Sequence, residues 1–407
     1  MRRSRCYFSL APFFVGVALS TFGAVGASAR ILLSAPIEVP AYSAFAYHEA
    51  SLAVLEDGSF AISRLSGQGG IELIFFSPAG SVVKKRFVPL AAGAAGPFSG
   101  GIGAFGDRYF FNWSRLPSGK AHAAFYSREG NRLGKIFPWP FSESTVPYVH
   151  HRYAPGQTGR VLPFFFFESG RDRFGRPIYA ERSQVFGPGG FWGAEVDLVL
   201  PRYQLRVFDA AITEQGRFAV LFHRCLKSDI FESRCKVGVQ RFAGDWRPRS
   251  AFQVDGYPSP DEARIFKLAL ARAGVHAATW IRENGPPGAD DRLQVRLFHP
   301  DGRPAGEVLQ LSDPAVGGVG EPEPRATFAN TFVVAWRGRP GGNKLDVHIR
   351  ELDGQTGQLG ETIRIADDVK PFAWDFQLNS SGHGVVMWGD RVTLVTVVPD
   401  EEIHNEK

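Results

Sequence analysis

The chain lacks the short motifs by which many enzyme activities are recognised. It contains no G-x-S-x-G turn of serine hydrolases, no G-x-x-x-x-G-K-S/T phosphate loop, no D-x-D/N-x-D/N-G calcium loop, no H-E-x-x-H zinc motif and no Asp-box turn. His150 and His151 are adjacent, but neighbouring side chains on an extended strand point to opposite faces and do not share a ligand. The sequence therefore predicts no metal site and no cofactor.

A long apolar run is also absent. The most apolar segment, Phe13 to Val25, is shorter than the ~18 to 20 residues that a membrane span needs. Three arginines precede it and Ala27-Ser28-Ala29 follows it, which is the order of a secretory signal and its cleavage site. We expect residues 1–29 to be removed, leaving an exported protein, periplasmic or extracellular, without a stable membrane span. A single membrane anchor is the alternative interpretation.

The mature chain has no large excess of either charge. The whole sequence carries 46 Lys and Arg against 41 Asp and Glu, and losing the three arginines of the signal leaves 43 against 41. A nearly neutral chain offers no electrostatic attraction to a polyanion. We therefore expect no nucleic-acid partner.

Cysteine is scarce, with three residues among 407. Cys6 lies in the predicted signal, so Cys225 and Cys235 are the only cysteines of the mature chain. Two cysteines in an exported protein most simply form one disulfide. A pair of free thiols or a metal site is the lesser interpretation, because no third and fourth ligand follow at a spacing typical of zinc.

Strand-forming sequence and turn residues are abundant. Aromatic residues make up 13% of the chain, including 35 Phe, beside 46 Gly and 28 Pro, a composition that favours strands and tight turns. A short apolar strand, ending in most copies in an aromatic residue, recurs 49 to 58 residues apart. Its copies are Phe60 to Arg64, Tyr109 to Trp113, Val161 to Phe165, Phe218 to Phe222, His276 to Trp280, Phe332 to Trp336 and Gly384 to Trp388. That spacing is typical of one four-stranded propeller blade.

Seven repeats of four strands predict an all-β, seven-bladed β-propeller over residues 30–399, followed by a flexible acidic tail at 400–407. The last repeat supplies three strands, and Ile31 to Val39 has the apolar alternation of a fourth. We expect this N-terminal strand to pair with the last repeat and close the ring. One local signal disagrees, because Ser259 to Glu262 has the signature of a helix start. The repeat places a strand from about Phe266, so we expect at most one helical turn at 260–264.

The repeats resemble those of secreted bacterial β-propellers that share the pattern F-V-V-x-W followed by R-x-F-D-x-x-G-x-x-x-G. The sixth repeat carries Phe332-Val333-Val334-Ala335-Trp336, then Arg350-Glu351-Leu352-Asp353-Gly354, then Gly360 and Ile365. The resemblance implies a propeller and an exported location, and it implies no single activity.

One position of the innermost strand is charged in five of the seven repeats. Aligning the repeats without gaps on the aromatic strand places there Ser51, Gly100, Arg152, Asp209, Lys267, Glu323 and Asp375. This position lies at the end of each repeat that carries the long loops, where binding sites are common. We predict that the five charged residues line the mouth of the central channel and bind a ligand. The alternative interpretation is structural, a ring of mixed charges that neutralises itself around ordered water.

Two function classes follow. The preferred one is a monomeric binding or interaction protein that captures a glycan, in particular an anionic one, or a protein at the long-loop face, with no catalysis. The other is a hydrolase or lyase acting on an extracellular polysaccharide, with two of Asp209, Glu323 and Asp375 as general acid and base. Carboxylates that converge on an open pocket favour the enzyme, and ion-paired carboxylates favour the binding protein.

Overall fold

The computed structural model describes mainly the strands and their tight turns. The described residues are 29–40, 50–66, 69–89, 99–114, 121–139, 150–153, 161–171, 177–187, 190–197, 203–212, 217–226, 236–242, 248–254, 263–282, 291–313, 318–327, 330–341, 344–369 and 374–399. Every helix or strand assigned within these ranges is a β-strand, and they hold no helix that is long and apolar enough to cross a membrane. The predicted signal, apart from Ala29, and the tail at 400–407 lie outside them.

Within the described residues the strands form seven antiparallel sheets. The first contains β3 (Ser51–Val54), β4 (Phe60–Ser66), β5 (Gly70–Phe76) and β6 (Val82–Pro89). The second contains β7 (Ser99–Phe105), β8 (Arg108–Ser114), β9 (Ala121–Ser127) and β10 (Arg132–Trp139). The third contains β11 (His150–Tyr153), β12 (Val161–Arg171), β13 (Pro177–Gly187) and β14 (Gly190–Asp197). The fourth contains β15 (Tyr203–Ile212), β16 (Phe218–Leu226), β17 (Lys236–Phe242) and β18 (Pro248–Gln253).

The remaining three sheets continue the same order. The fifth contains β19 (Ala263–Leu270), β20 (His276–Arg282), β21 (Arg292–Phe298) and β22 (Leu309–Gln310). The sixth contains β23 (Gly318–Thr327), β24 (Thr331–Gly341), β25 (Lys344–Asp353) and β26 (Ile363–Val369). The last contains β27 (Trp374–Leu378), β28 (His383–Trp388) and β29 (Arg391–Pro399), joined by β1 (Ala29–Leu33) and β2 (Ile37–Glu38) from the N-terminal segment. The all-β class predicted from the repeat is confirmed.

The N-terminal segment completes the last sheet, as its alternating pattern predicts. β1 pairs antiparallel with β29 from Ala29 opposite Pro399 to Leu33 opposite Val395. β2 pairs with the beginning of the same strand. The segment thus forms two short strands rather than the single strand expected over Ile31 to Val39.

The recurring apolar strand is the second strand of every sheet, and its residues are buried wherever their burial is described, apart from the half-buried Phe222. Trp113, Trp280, Trp336 and Trp388 occupy one repeat position on it and all four are buried. They are therefore core residues, which is the role that their recurrence predicts. The local helix signal is outweighed: β19 begins at Ala263, so the described residues 263 and 264 are strand, and 255–262 lie outside the described residues.

Neighbouring sheets pack face to face through apolar side chains. One such core joins the first sheet to the second, for example Phe75 against Tyr109. Another joins the last sheet to the first, with Val385 and Met387 clustered with Phe60. The two ends of the repeat array are therefore in contact, and their shared core is as apolar as those between consecutive sheets.

The antiparallel order gives each sheet two distinct ends. The chain enters a sheet at the beginning of its first strand, and the connection from the second to the third strand returns to that same end. Turns from the first to the second strand and from the third to the fourth lie at the opposite end. We call the end at which the chain enters each sheet the connection end, because every sheet-to-sheet connection reaches it.

Candidate functional site

The predicted charged position holds its register in the fourth to last sheets. Asp209 lies opposite Leu221, Lys267 opposite Thr279, Glu323 opposite Ala335 and Asp375 opposite Met387. In each of these pairs the second residue follows the first by 12 positions, as it does for Ser51 and Ser63 in the first sheet. Equal hairpin length is the reason that an alignment without gaps finds these residues.

The second and third sheets depart from this register. In the second sheet the equivalent pair is Gly101 and Asn112, 11 residues apart, so Gly101 replaces Gly100. In the third sheet the pair is His150 and Phe164, 14 residues apart. Arg152 lies two positions further along β11, opposite Leu162. The gap-free alignment is therefore off by one residue in the second sheet and by two in the third, because those hairpins differ in length.

Aspartate and serine at this position bind the backbone of the following sheet. Asp209 Oδ2 accepts a hydrogen bond from the backbone N–H of Leu268 at 2.8 Å, and its Oδ1 accepts from the N–H of Ala210 at 2.8 Å. Ser51 Oγ accepts from the N–H of Ile102 at 2.8 Å. In both sheets the donor is the residue that directly follows the equivalent position on the next first strand. These side chains therefore tie neighbouring first strands together.

Asp375 makes the same contact between the last sheet and the first. Its Oδ2 accepts from the backbone N–H of Leu52 at 2.9 Å, and its Oδ1 accepts from Gln377 Nε2 at 3.1 Å. Burial, reinforced by the negative charge of Glu323, raises the pKa of Asp375 to about 6, and Arg325 opposes that rise. This carboxyl is therefore partly protonated near pH 6.

Lys267 and Glu323 form an ion pair between the fifth and sixth sheets. Lys267 Nζ lies 2.6 Å from Glu323 Oε1, and Arg325 Nη1 lies 3.0 Å from Glu323 Oε2. Arg325 Nε also donates to Gln377 Oε1 at 3.2 Å, which carries the network to the last sheet. The alignment missed Arg325 and Gln377, although strand alternation puts both on the same face as the predicted residues, two positions on.

We call Asp209, Lys267, Glu323, Arg325 and Asp375 the first-strand cluster. Its members lie on four consecutive first strands, and their polar atoms meet at the contacts between neighbouring sheets. Of the five predicted ligand residues, the structure connects Lys267, Glu323 and, through Arg325 and Gln377, Asp375. The carboxylate of Asp209 accepts the backbone N–H of Leu268 on β19, and the side chain of Arg152 lies outside the described residues.

β15, β19 and β23 each have a register irregularity directly before the cluster residue. The irregularities fall between Val207 and Asp209, between Arg264 and Lys267, and between Gly320 and Glu323. Bulges re-aim the side chains that follow them and are enriched beside binding and active sites. The third includes Glu321, whose φ of 44° is unusual for a residue with a side chain. The Glu321 carboxylate forms an ion pair with the guanidinium group of Arg337.

The predictions on the disulfide and on metal binding concern residues that the structure describes only in part. Cys225 lies on β16, and Cys235 falls within the undescribed range 227–235, so their disulfide stays a prediction. Within the described ranges no group of three or more His, Cys, Asp or Glu side chains is arranged to hold a metal ion.

No protein-family model matches the chain, and no curated protein has a significantly similar sequence. Among solved structures it is similar to the polysaccharide lyase Uly1, with 9% identity over 89% of this chain and 92% of that one and a TM-score of 0.54. A polysaccharide lyase described as an ulvan lyase shares 9% identity over 94% and 99% of the two chains, with a TM-score of 0.49. The WD40 domain of SCAP from fission yeast shares 10% identity over 90% and 98%, with a TM-score of 0.45.

These neighbours are β-propeller proteins. Uly1, the one of the three with a TM-score above 0.5, supports a propeller-like arrangement of the sheets. At 9% identity the similarity concerns the fold alone.

Proposed function

We propose that the chain is an exported, monomeric seven-bladed β-propeller that binds a glycan carrying acidic groups at the first-strand cluster. The ring is supported by the order in which first strands contact one another: β3 meets β7, then β11, β15, β19, β23 and β27 follow, and β27 returns to β3. First strands in such a ring line the central channel. Residues 30–399 then form one domain, with the cluster near the mouth of the channel at the connection end.

The observation that carries the proposal is the network of Lys267, Glu323 and Arg325. The three side chains keep between 13% and 19% of their surface exposed. Ammonium and guanidinium groups carry more N–H donors than the described contacts of Lys267 and Arg325 use. Such donors match the hydroxyl and carboxylate oxygens of a sugar. Two cations beside one partly exposed anion also favour an acidic sugar over a basic ligand.

The other members complete the proposed site. Asp209 and Asp375 hold neighbouring first strands in place and border the cations. Arg152, two positions along β11, is proposed as a further cation at the channel mouth. The similarity to Uly1, a polysaccharide lyase by name, supports a polysaccharide as the ligand class. The signal-like N-terminus supports export to the periplasm or the medium, where such polymers occur.

Binding is favoured over catalysis because the carboxylates are engaged. Each described oxygen contact of Asp209 is with a backbone N–H, and Glu323 pairs with two cations. A general base needs its lone pair directed at a substrate proton. Carboxylates bound in this way hold the ring together and leave the donors to face the ligand.

A second function is favoured by one specific observation, the pair Asp375 and Glu323. Burial, reinforced by the negative charge of Glu323, raises the pKa of Asp375 to about 6, whereas Glu323 pairs with two cations. A carboxyl group whose pKa lies near the working pH is suited to acid–base catalysis. In that alternative the protein is a polysaccharide hydrolase or lyase with Asp375 as its acid.

The experiment is a binding screen of the mature protein against immobilised polysaccharides, with polygalacturonate, alginate and chondroitin sulfate as acidic probes and dextran and arabinan as neutral ones. We expect retention on at least one acidic polymer that is lost in Lys267→Met. Arg303→Met, an exposed arginine on a turn at the opposite end of the fifth sheet, is the matched control and should bind normally. Binding that is unaffected by Lys267→Met would contradict the proposed site.

The same polymers separate binding from catalysis. Prolonged incubation with each bound polysaccharide should release no reducing ends or unsaturated products. Release that disappears in Asp375→Asn while binding persists would replace the proposed function by the enzymatic one.

A further inference from the structure

Where the structure describes burial, the exposed large apolar side chains are confined to the outer strands of three consecutive sheets. Among the residues whose burial the structure describes there are six, and every one lies on β1, β6 or β10: Leu32, Val82, Val83, Phe87, Leu133 and Ile136. These strands belong to the last, first and second sheets, whose first strands lie side by side. Isolated exposed apolar residues are common, whereas a set concentrated on neighbouring strands indicates an interaction surface.

The same three strands are basic. Their sequences, ARILL, VVKKRFVP and RLGKIFPW, contain six Lys and Arg and no Asp or Glu. The outer strand of the sixth sheet, IRIADDV, shows the contrast, because it carries Asp367 and Asp368. Basic charge and exposed apolar surface therefore coincide on one part of the rim.

The geometry of β1 and β6 produces a groove between the last sheet and the first. Val392 and Leu394 of β29 pack towards the first sheet. Alternation along β29 gives Thr396 and Val398 the same face, so their partners Leu32 and Arg30 on β1 also face the first sheet. Leu32 is 44% exposed, which shows that the first sheet does not cover it.

The opposite wall of the groove comes from β6. Lys85 pairs with Ile74 and Phe87 with Glu72, and Ile74 packs in the core shared with the last sheet, so Lys85 and Phe87 face that sheet. The Phe87 ring lies over Gly70, where an added Cβ would stand 2.3 Å from Cζ, and the side chain is still 46% exposed. We call Arg30, Leu32, Lys85 and Phe87 the seam groove.

Among the described residues, the acidic side chains on the strands beside β1 and β6 do not neutralise the groove. Glu72, on the strand beside β6, is ion-paired with the buried Arg64. Glu38 on β2 lies opposite Arg391, at the far end of β29 from Leu32. Arg30 and Lys85 therefore leave the groove positively charged.

We propose that the seam groove is the docking site for an extended acidic segment of a partner protein, which adds as a strand to the open edge of β6. β6 is the outermost strand of its sheet, so one side of its backbone has no strand partner within the described residues. An added strand pairs with that edge, and its alternate side chains enter the groove. Acidic residues meet Lys85 and Arg30, and apolar residues meet Phe87 and Leu32.

The shape of the groove excludes a flat ligand as the main occupant. Its two walls lie on the facing sides of neighbouring sheets, so a planar bilayer would meet the outer edges of the two sheets and not both walls. Of its two apolar side chains Leu32 is aliphatic, and the open edge of β6 offers backbone N–H and C=O groups, which together suit a peptide strand better than sugar rings. The proposal is independent of glycan binding at the first-strand cluster, because the two sites share no residue.

The test is a selection from a phage-displayed library of random dodecapeptides on the mature protein, with counter-selection on the double variant Lys85→Glu, Phe87→Ser. We expect enriched peptides that alternate acidic and apolar residues. As synthetic fluorescent peptides they should bind the parent protein and lose at least ~10-fold in affinity to Lys85→Glu and to Phe87→Ser separately. Arg364→Glu, a cation on the edge strand β26 outside the groove, is the matched control and should leave affinity unchanged.

Several results would overturn the proposal. One is that no peptide survives counter-selection against a double variant whose melting curve shows it to be folded. A related one is that enriched peptides bind both single variants with the same affinity as they bind the parent. Another is that phosphatidylglycerol vesicles bind in a Lys85-dependent manner while no peptide does, which assigns the surface to lipid. A third is a concentration-dependent dimer in sedimentation that Phe87→Ser abolishes, which assigns it to a second copy of this chain.

Discussion

Asp375 and Leu52 join the two ends of the repeat array, with Asp375 Oδ2 accepting the backbone N–H of Leu52 at 2.9 Å across 323 residues of sequence. Asp209 and Leu268 make the equivalent contact between the fourth and fifth sheets at 2.8 Å. The seam between the first and last sheets is thus held by the same kind of bond as an ordinary contact between consecutive sheets. A carboxylate at this position accepts a backbone N–H from the first strand of the next sheet.

The raised pKa of Asp375 predicts a distinct pH dependence of stability. A folded-state pKa of about 6 lies above the ordinary value, so the folded protein binds more protons than the unfolded chain between about pH 4 and 6. The contribution of this group therefore falls as pH rises through that window, by about 1 to 3 kcal/mol. Asp375→Asn should flatten this fall in melting temperature, whereas Asp107→Asn, at an exposed turn, should not. Equal pH profiles for Asp375→Asn and the parent would contradict the assignment.

His276 predicts the opposite slope. Burial, reinforced by the charge of Arg241, lowers the pKa of His276 to about 3. The unfolded chain binds the extra proton between about pH 3 and 6.5, so stability is full above that window and is lost as pH falls. His276→Phe keeps a ring against Phe252 and should raise the melting temperature at pH 4 to 5 relative to the parent. His299→Asn, an exposed histidine, serves as the control, and an unchanged acid limb in His276→Phe would refute the prediction.

Gly130 and Gly134 form a matched pair for testing the packing between the first two sheets. Both have a positive φ, 74° and 76°, but a Cβ at Gly130 would lie 2.6 Å from Phe75 Cδ2, whereas one at Gly134 meets nothing within 4 Å. Gly134→Ala should cost about 1 kcal/mol for the backbone alone. Gly130→Ala should cost about 2 to 4 kcal/mol, because the overlap forces Phe75 to move. Denaturant unfolding of both variants checks this, and equal losses would show that the turn does not pack against Phe75.

The predicted disulfide is tested by thiol chemistry. The protein exported to an oxidising compartment should show no titratable thiol without reductant. Cys225→Ser should destabilise it by about 2 to 3 kcal/mol, since the bridge would close a loop of about ten residues. Titration of two thiols in native, unreduced protein would refute the bridge.

The fold was predictable from sequence because the repeat is conspicuous in one strand. The aromatic second strands have the same spacing as the sheets, and five hairpins have the same length, so a single alignment located Asp209, Lys267, Glu323 and Asp375 correctly. It failed at Arg152, because the third hairpin is two residues longer and no residue of the aromatic strand records that difference. In the fifth sheet, register in the repeat outweighed a local helix signal, as tertiary context often does.

The hydrogen-bond partners of the cluster residues could not be predicted from the sequence. Which N–H a carboxylate accepts depends on how far each first strand is shifted against its neighbour, and a repeat pattern holds no information on that shift. Arg325 and Gln377 were within reach, because each lies two residues after a predicted position. The bulges before Asp209, Lys267 and Glu323 could not be predicted. The alignment starts from the second strand and runs back to the cluster residue, and the extra residue of each bulge lies before that point.

The central claim is that the cations of the first-strand cluster bind an acidic glycan rather than only neutralise Glu323. It is tested most directly by calorimetric titration of oligosaccharides from the acidic polymer retained in the screen into the parent, Lys267→Met and Arg325→Met, with melting temperatures recorded for each. Glu323 keeps one cationic partner in either variant. The account predicts at least ~10-fold weaker binding in both, worth about 1.4 kcal/mol or more, with melting temperatures within a few degrees of the parent. Unchanged affinity together with a large loss of thermal stability would contradict it and leave the cluster a purely structural role.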